Sequence, residues 1–128
     1  MNDECPFCNL PESRIWHQNE VGLAIWDSYP LTEGHTLVIP KQHVDSLFDL
    51  SPNEQQAVWQ LVSQVRSKLA TDLNPDGFNV GVNDGIAAGQ TVMHAHIHVV
   101  PRRDGDVGDP RGGVRWVIPD KADYWSNR

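Results

Sequence analysis

The sequence predicts an α+β domain, an antiparallel sheet with one long helix packed on a face. Short apolar stretches of strand length recur along the chain, at 14–19, 21–27, 36–40, 78–82 and 92–100. A single segment, from Ser51 to Asn74, has helical spacing instead. The 128 residues, 39% of them hydrophobic, suffice for one domain with a core of its own.

Arg14–Asn19 and Val21–Asp27 read as two short strands joined by a turn near Glu20, and Pro30–Gly34 reads as a loop. Thr36–Pro40 is a compact apolar run ended by proline, the pattern of a buried strand. Ser51-Pro52-Asn53-Glu54 starts a helix: Ser51 caps, Pro52 suits the first helical position and Glu54 completes a capping box. Val58, Leu61, Val62, Val65 and Leu69 then share one face until Asn74-Pro75 stops the helix. Phe78–Val82 is a further strand, and Val92–Val100 is the last, ending at Pro101. No repeat or linker divides the chain, so 1–128 is expected to be one domain with its core over 5–101. Glycine, proline and charge dominate beyond Arg103, which makes 102–128 an irregular tail lying on the surface.

Ten basic and 17 acidic residues give a net charge of −7, which argues against a nucleic-acid polymer as partner. A small phosphorylated ligand needs only local positive groups, and Arg102, Arg103, Arg111 and Arg115 are the candidates. No apolar run of about 18 residues offers a membrane span. The opening Met-Asn-Asp-Glu-Cys-Pro lacks the basic start and apolar stretch of a signal peptide, so a cytoplasmic location is expected.

The segment His94-Ala95-His96-Ile97-His98 carries the chemistry. On a strand, alternate side chains share a face, which lines up the three imidazoles roughly 7 Å apart. Ala95, Ile97 and Val99 point the other way, into a core. Three histidines in strict alternation exceed what a half-exposed strand carries by chance. They suit either a metal or a substrate, one imidazole acting as nucleophile and others donating hydrogen bonds to developing charge. Upstream, Asn83-Asp84-Gly85 and Gly89-Gln90-Thr91 form a glycine loop whose N–H groups and hydroxyl suit a phosphate.

The two cysteines, at positions 5 and 8, have the spacing of a metal clip or a redox pair. A redox pair needs a preceding strand, which the four residues before Cys5 cannot supply. Two cysteines so spaced offer half of a tetrahedral zinc site.

Gly89-Gln90-Thr91-Val92-x-His94-x-His96-x-His98-Val99-Val100-Pro101 closely resembles the signature of the histidine-triad family. The likeness extends to Gly34-His35-Thr36-Leu37-Val38-Ile39-Pro40-Lys41 and His43, and Cys5 to Pro101 can be laid along the family pattern. The resemblance implies a five-stranded antiparallel sheet with one long and one short helix, paired into a homodimer through the long helix and an edge strand. It implies a nucleotide hydrolase in which His96 forms a covalent nucleotidyl-histidine that water then resolves. By the same resemblance His98 bonds phosphate oxygens near the breaking bond, and Asn83, Gly89, Gln90 and Thr91 hold phosphate oxygens. Asp27 accepts from ribose hydroxyls, and His35 supports the first triad histidine, His94. In the branch with the N-terminal cysteine pair, a structural zinc is completed by His43 and His94.

The tail from Arg111 to Pro119 resembles that of bacterial members described as diadenosine-tetraphosphate-type hydrolases. Arg115 and Trp116 suit closure over a substrate, from their own or a partner subunit; equally, Trp116 and Trp125 suit simple packing anchors for a loose tail. A diadenosine polyphosphate is the favoured substrate and an adenosine phosphoramidate the alternative, since both pass through the same adduct. Two other readings stay open: a catalytic metal on the triad itself, and a nucleotide-binding module without turnover.

Overall fold

Each apolar stretch becomes a strand close to where its pattern places it. In the computed structural model, which describes residues 4–126, the strands are β1 (Ile15–Gln18), β2 (Gly22–Trp26), β3 (Thr36–Pro40), β4 (Gly77–Val82) and β5 (Ile97–Arg102). The long helix α1 (Pro52–Leu73) separates β3 from β4 along the chain, and α2 (Pro119–Ala122) is one turn in the tail. The expected domain limits, 1 and 128, lie outside the described residues. The sheet is antiparallel throughout, in the order β1-β2-β3-β5-β4. Among the described residues no helix is long and apolar enough to cross a membrane.

Two apolar clusters cover the two faces. Ala24, Val38, Ile97 and Val99 pack with the α1 residues Val58, Leu61, Val62, Val65 and Leu69. On the other face Ile25, Leu37 and Ile39 are covered by Phe7, Leu10, Ile15 and Leu23. Burial of both faces explains the unbroken apolar run of β3, every residue of which is buried. The capping box forms as the sequence predicts: Glu54 N–H donates to Ser51 Oγ at 3.2 Å, and Ser51 N–H to Glu54 Oε1 at 2.9 Å.

The last strand is displaced from its expected limits. Its ladder begins at Ile97 rather than Val92 and continues through Pro101 to Arg102. At the start, β3 ends at Pro40, whose missing N–H cannot extend the pairing, and Ala95 N–H donates to the Val44 carbonyl instead, at 2.8 Å. At the end, Pro101 directs its carbonyl to the Thr32 hydroxyl (2.7 Å), on the β3 side. A residue's N–H and C=O point the same way in an antiparallel strand, so the pairing with β4 loses nothing.

The segment after Arg102 is more ordered than its composition suggests, with a 3-10 turn at Gly113–Val117 followed by α2. Its arginines are engaged locally. Arg102 pairs with Asp106 at 2.7 Å, and Arg103 donates to the carbonyls of Leu73 and Asn74 at the end of α1. Arg111 bonds Asp109 and lies over Trp125, while Arg115 donates to the carbonyls of Lys121 and Ala122.

Gly34 joins helix to sheet just before His35. Its φ is +88°, and an added Cβ would stand 2.5 Å from Leu73 Cδ1. Gly34→Ala is therefore expected to lower the unfolding free energy by about 1–3 kcal/mol, seen as a lower urea midpoint at unchanged slope. A midpoint equal to wild type would mean that Leu73 swings aside and the left-handed backbone costs nothing here.

Candidate active site and metal centre

The histidine face of β5 is the face away from α1. His98 sits opposite Leu37 on β3 and Gly81 on β4. Although 94–96 lie outside the ladder, alternation persists: Ala95 joins the helix-side core while the imidazoles turn to the other side. They are not used alike. Residues 92–94 bend, and the buried His94 faces the N-terminal segment, not the other two.

Cys5, Cys8, His43 and His94 bring one ligand atom each to within 4.8 Å of one another. The closest approaches are His43 Nδ1 to His94 Nδ1 at 3.1 Å, Cys8 Sγ to His43 Nδ1 at 3.2 Å and Cys5 Sγ to His94 Nδ1 at 3.4 Å. Ligand bonds of ordinary length around a tetrahedral zinc put N and N roughly 3.3 Å apart, and S and N roughly 3.6 Å. His94 Nε2 donates to the Pro40 carbonyl at 2.8 Å, which turns the lone pair of Nδ1 toward the thiols. The donor set and its spacing thus fit zinc, with all four positions filled by protein. With both nitrogens so engaged, the His94 ring does not line the neighbouring cavity, contrary to its expected place beside His96 and His98.

That cavity measures about 470 Å³ and is lined by Phe7, Arg14, Asp27, His35, Leu37, Asn83, Gly89, Thr91, His96 and His98, among others. Asn83, Gly89 and Thr91 flank the histidines, as their loop position predicts. Gln90 does not line it. Its amide bonds Gly85 N–H (2.8 Å) and the carbonyls of Asp45 (2.8 Å) and Val92 (3.0 Å), holding the glycine loop from behind. Asp27 follows β2 and accepts from Tyr29 N–H at 2.7 Å, with its other oxygen 3.4 Å from His35 Nε2. His35 bonds His98, at 2.9 Å, and not His94 as expected, because β3 pairs with β5 at the His98 end.

Backbone groups set the ring protons. Leu31 N–H donates to His35 Nδ1 at 3.1 Å, so the neutral His35 ring carries its proton on Nε2. That proton goes to His98 Nδ1, which leaves His98 Nε2–H as a donor toward the cavity. His96 is the reverse. Its Nδ1 bonds the His94 carbonyl at 2.8 Å and must carry the proton, so Nε2 presents a lone pair. Burial lowers the pKa of His35 against the opposing charge of Asp27, and burial, then His96 and His35, lowers that of His98 to about 4.

Arg14 is the only lysine or arginine lining the cavity among the described residues, its guanidinium held by the Trp26 carbonyl at 2.9 Å. None of the four arginines expected near the phosphate reaches it, and Arg115 and Trp116 do not line it either. Sequence reasoning missed Arg14 and Phe7. Arg14 carries no signal in the sequence, whereas Phe7 could have been suspected from its place between the two cysteines of the Cys–His cluster.

The HIT domain family matches residues 9–105. An uncharacterised HIT-like protein of Mycoplasma genitalium is 40% identical over 102 residues, covering 77% of this chain and 72% of that one. The asymmetrical bis(5'-nucleosyl)-tetraphosphatase of Schizosaccharomyces pombe is 33% identical over 76% of this chain, which spans 53% of that enzyme's length. Among solved structures, a zinc-bound histidine triad family protein from Mycobacterium smegmatis superposes with a TM-score of 0.67 at 46% identity, covering 80% of this chain and 78% of the other. The chain belongs to the histidine-triad family, which includes nucleotide-processing hydrolases.

The low pKa of His98 couples it to stability. At about 4 when folded, against its ordinary 6.5, His98 binds a proton more readily once unfolded. Its contribution is complete above pH 6.5 and declines as pH falls toward 4. The urea midpoint should therefore drop over this window, and less steeply in His98→Asn. Identical slopes would assign the effect to other groups.

Proposed function

We propose that the chain is a nucleotide hydrolase that cleaves a dinucleoside polyphosphate of the diadenosine tetraphosphate type through a covalent adduct on His96. The observation that carries this reading is the set of hydrogen-bond partners that imposes opposite tautomers on neighbouring rings, 5.3 Å apart, facing one cavity. His96 Nε2 attacks the phosphorus next to a nucleoside; a P–N bond forms while the bond to the leaving phosphate breaks, its electron pair departing with that group. The positive charge gained by His96 faces the His94 carbonyl through Nδ1–H. His98 Nε2–H donates to phosphate oxygens as charge builds, assisted by Thr91 and Asn83. The N–H groups of Gly89 and Gln90 donate to the Ile86 and Gly85 carbonyls and shape the loop instead. Asp27 takes the ribose hydroxyls. Water then adds to phosphorus and gives its proton to solvent, and the P–N electron pair returns to His96 Nε2.

Leaving-group chemistry favours the polyphosphate over a phosphoramidate. A neutral His98 donates a hydrogen bond readily but is a poor acid, since losing Nε2–H yields an imidazolate. A phosphate departs without a proton, whereas an amine requires one. Asp27, His35 and His98 also lie close enough together to suggest a catalytic metal. The Leu31 N–H on His35 Nδ1 opposes this, because it keeps the proton on the Nε2 that the metal would need. Zinc belongs at Cys5, Cys8, His43 and His94, where it would supply stability and tie the N-terminal segment to the histidine strand. The reading includes a homodimer through α1 and the edge strand β4, which expose Trp59 and Val80.

Wild type should convert diadenosine tetraphosphate to a nucleoside monophosphate faster than it cleaves an adenosine phosphoramidate, with a nucleotidyl adduct visible by mass. His96→Gly should lose roughly 10³-fold or more in kcat. Nucleotide binding without turnover by the folded, zinc-loaded wild type would favour the binding module. For the metal, elemental analysis should find stoichiometric zinc that is lost in Cys8→Ser, and chelation should lower Tm by about 5 °C or more. A chelator-treated protein of unchanged Tm and zinc-free wild type would contradict the assignment.

A further inference from the structure

We infer that Phe7 is a positioning residue for His96 and that the metal-holding turn keeps it in place, an inference that rests on the proposed role of His96 as nucleophile. Phe7 lies between Cys5 and Cys8 in a turn closed by Cys8 N–H on the Cys5 carbonyl, at 3.2 Å. Asn9 donates a second hydrogen bond to the same carbonyl at 2.9 Å. The ring of Phe7 meets two imidazoles edge to face: His96 at 5.2 Å and 72°, and His94 at 5.8 Å and 85°. Its remaining surface packs on the cluster of Ile25, Leu37 and Ile39. One ring therefore bridges a metal ligand, the nucleophile and the core.

The hydrogen bond to the His94 carbonyl fixes the proton of His96 only while the ring faces that carbonyl, and by itself it does not stop the ring turning away. In-line attack needs the Nε2 lone pair aimed at phosphorus, and small misplacements are costly. Phe7 restricts the swing through an edge-to-face contact whose geometry an aliphatic side chain does not reproduce. Besides its contact with the His98 ring, His96 is restrained by the His94 carbonyl and the Phe7 ring, and both belong to residues in or between the metal ligands. His98 is held differently, by His35, which the Leu31 N–H fixes in turn, on the β3 side. Disturbing the turn should therefore loosen His96 and leave His98 alone, an asymmetry that a general loss of structure does not produce.

The test uses the full zinc-loaded chain with 15N-labelled histidine, comparing wild type with Phe7→Ala, Phe7→Leu and Phe7→Tyr. Long-range 1H–15N spectra at fixed pH read the tautomer of each ring, and kinetics on diadenosine tetraphosphate separate kcat from KM. Phe7→Ala and Phe7→Leu are expected to retain zinc and to lower kcat about 10–100-fold with KM changed by less than about threefold. Phe7→Tyr, which keeps the ring, should restore most of the loss. His96 should lose its pure Nδ1–H signature in Phe7→Ala, and in wild type stripped of zinc under reductant, while His98 does not move. Unchanged kcat and an unmoved His96 signature in zinc-loaded Phe7→Leu would overturn the inference, as would equal shifts of His96 and His98. A wild type without turnover or adduct would sink the nucleophile reading instead, and the spectra would still decide whether Phe7 holds His96.

Discussion

Pro40 has no N–H to give the strand beside it and one carbonyl to give a side chain, and the use of the histidine segment depends on both. The missing donor ends the β3–β5 ladder and frees residues 94–96 from sheet pairing. The carbonyl accepts His94 Nε2–H and turns the other nitrogen toward the cysteines. Three imidazoles in one sequence pattern are thereby divided, the first to the metal centre and the next two to the cavity. Ala95 and Ile97 remain in the core on the opposite side, so the division costs little packing.

In the cavity, backbone groups do most of the electrostatic work. Two fixed main-chain partners, the Leu31 N–H and the His94 carbonyl, assign opposite tautomers to His98 and His96. Burial keeps His98 neutral at physiological pH. A chain of net charge −7 can in this way present a donor and a lone pair to an anionic substrate without gathering lysines around it. The arginines of the tail cap α1, pair with aspartates and brace α2, so their charge serves structure in this chain.

The N-terminal turn links these parts. Its cysteines approach His43 and His94, its phenylalanine approaches His94 and His96, and its apolar side chains cover the sheet face that α1 leaves open. A segment whose described residues form no strand or α-helix thus closes one wall of the cavity. Such an arrangement needs an anchor, and the Cys–His donor set has the chemistry of one.

Much of this was legible in the residues. Short apolar stretches located β1 to β4 and helical spacing located α1, because burial in a sheet or along one helix face leaves those patterns in the sequence directly. Ser51 and Glu54 marked the start of α1 because a capping box is local. The histidine alternation and the Cys5–Cys8 spacing pointed to the segments that form the Cys–His cluster and the cavity, since both patterns are local. Their division of labour was not legible. That His94 leaves the triad, that His35 reaches His98, that Gln90 works from behind its loop and that Arg14 and Phe7 border the cavity all follow from strand register and from carbonyl and N–H positions far apart in sequence. Composition and spacing determined which side chains are available and which face they occupy. Only the folded backbone decided which nitrogen carries a proton and where it points, because those partners come from Pro40, Leu31 and His94 main-chain atoms that no side-chain pattern records.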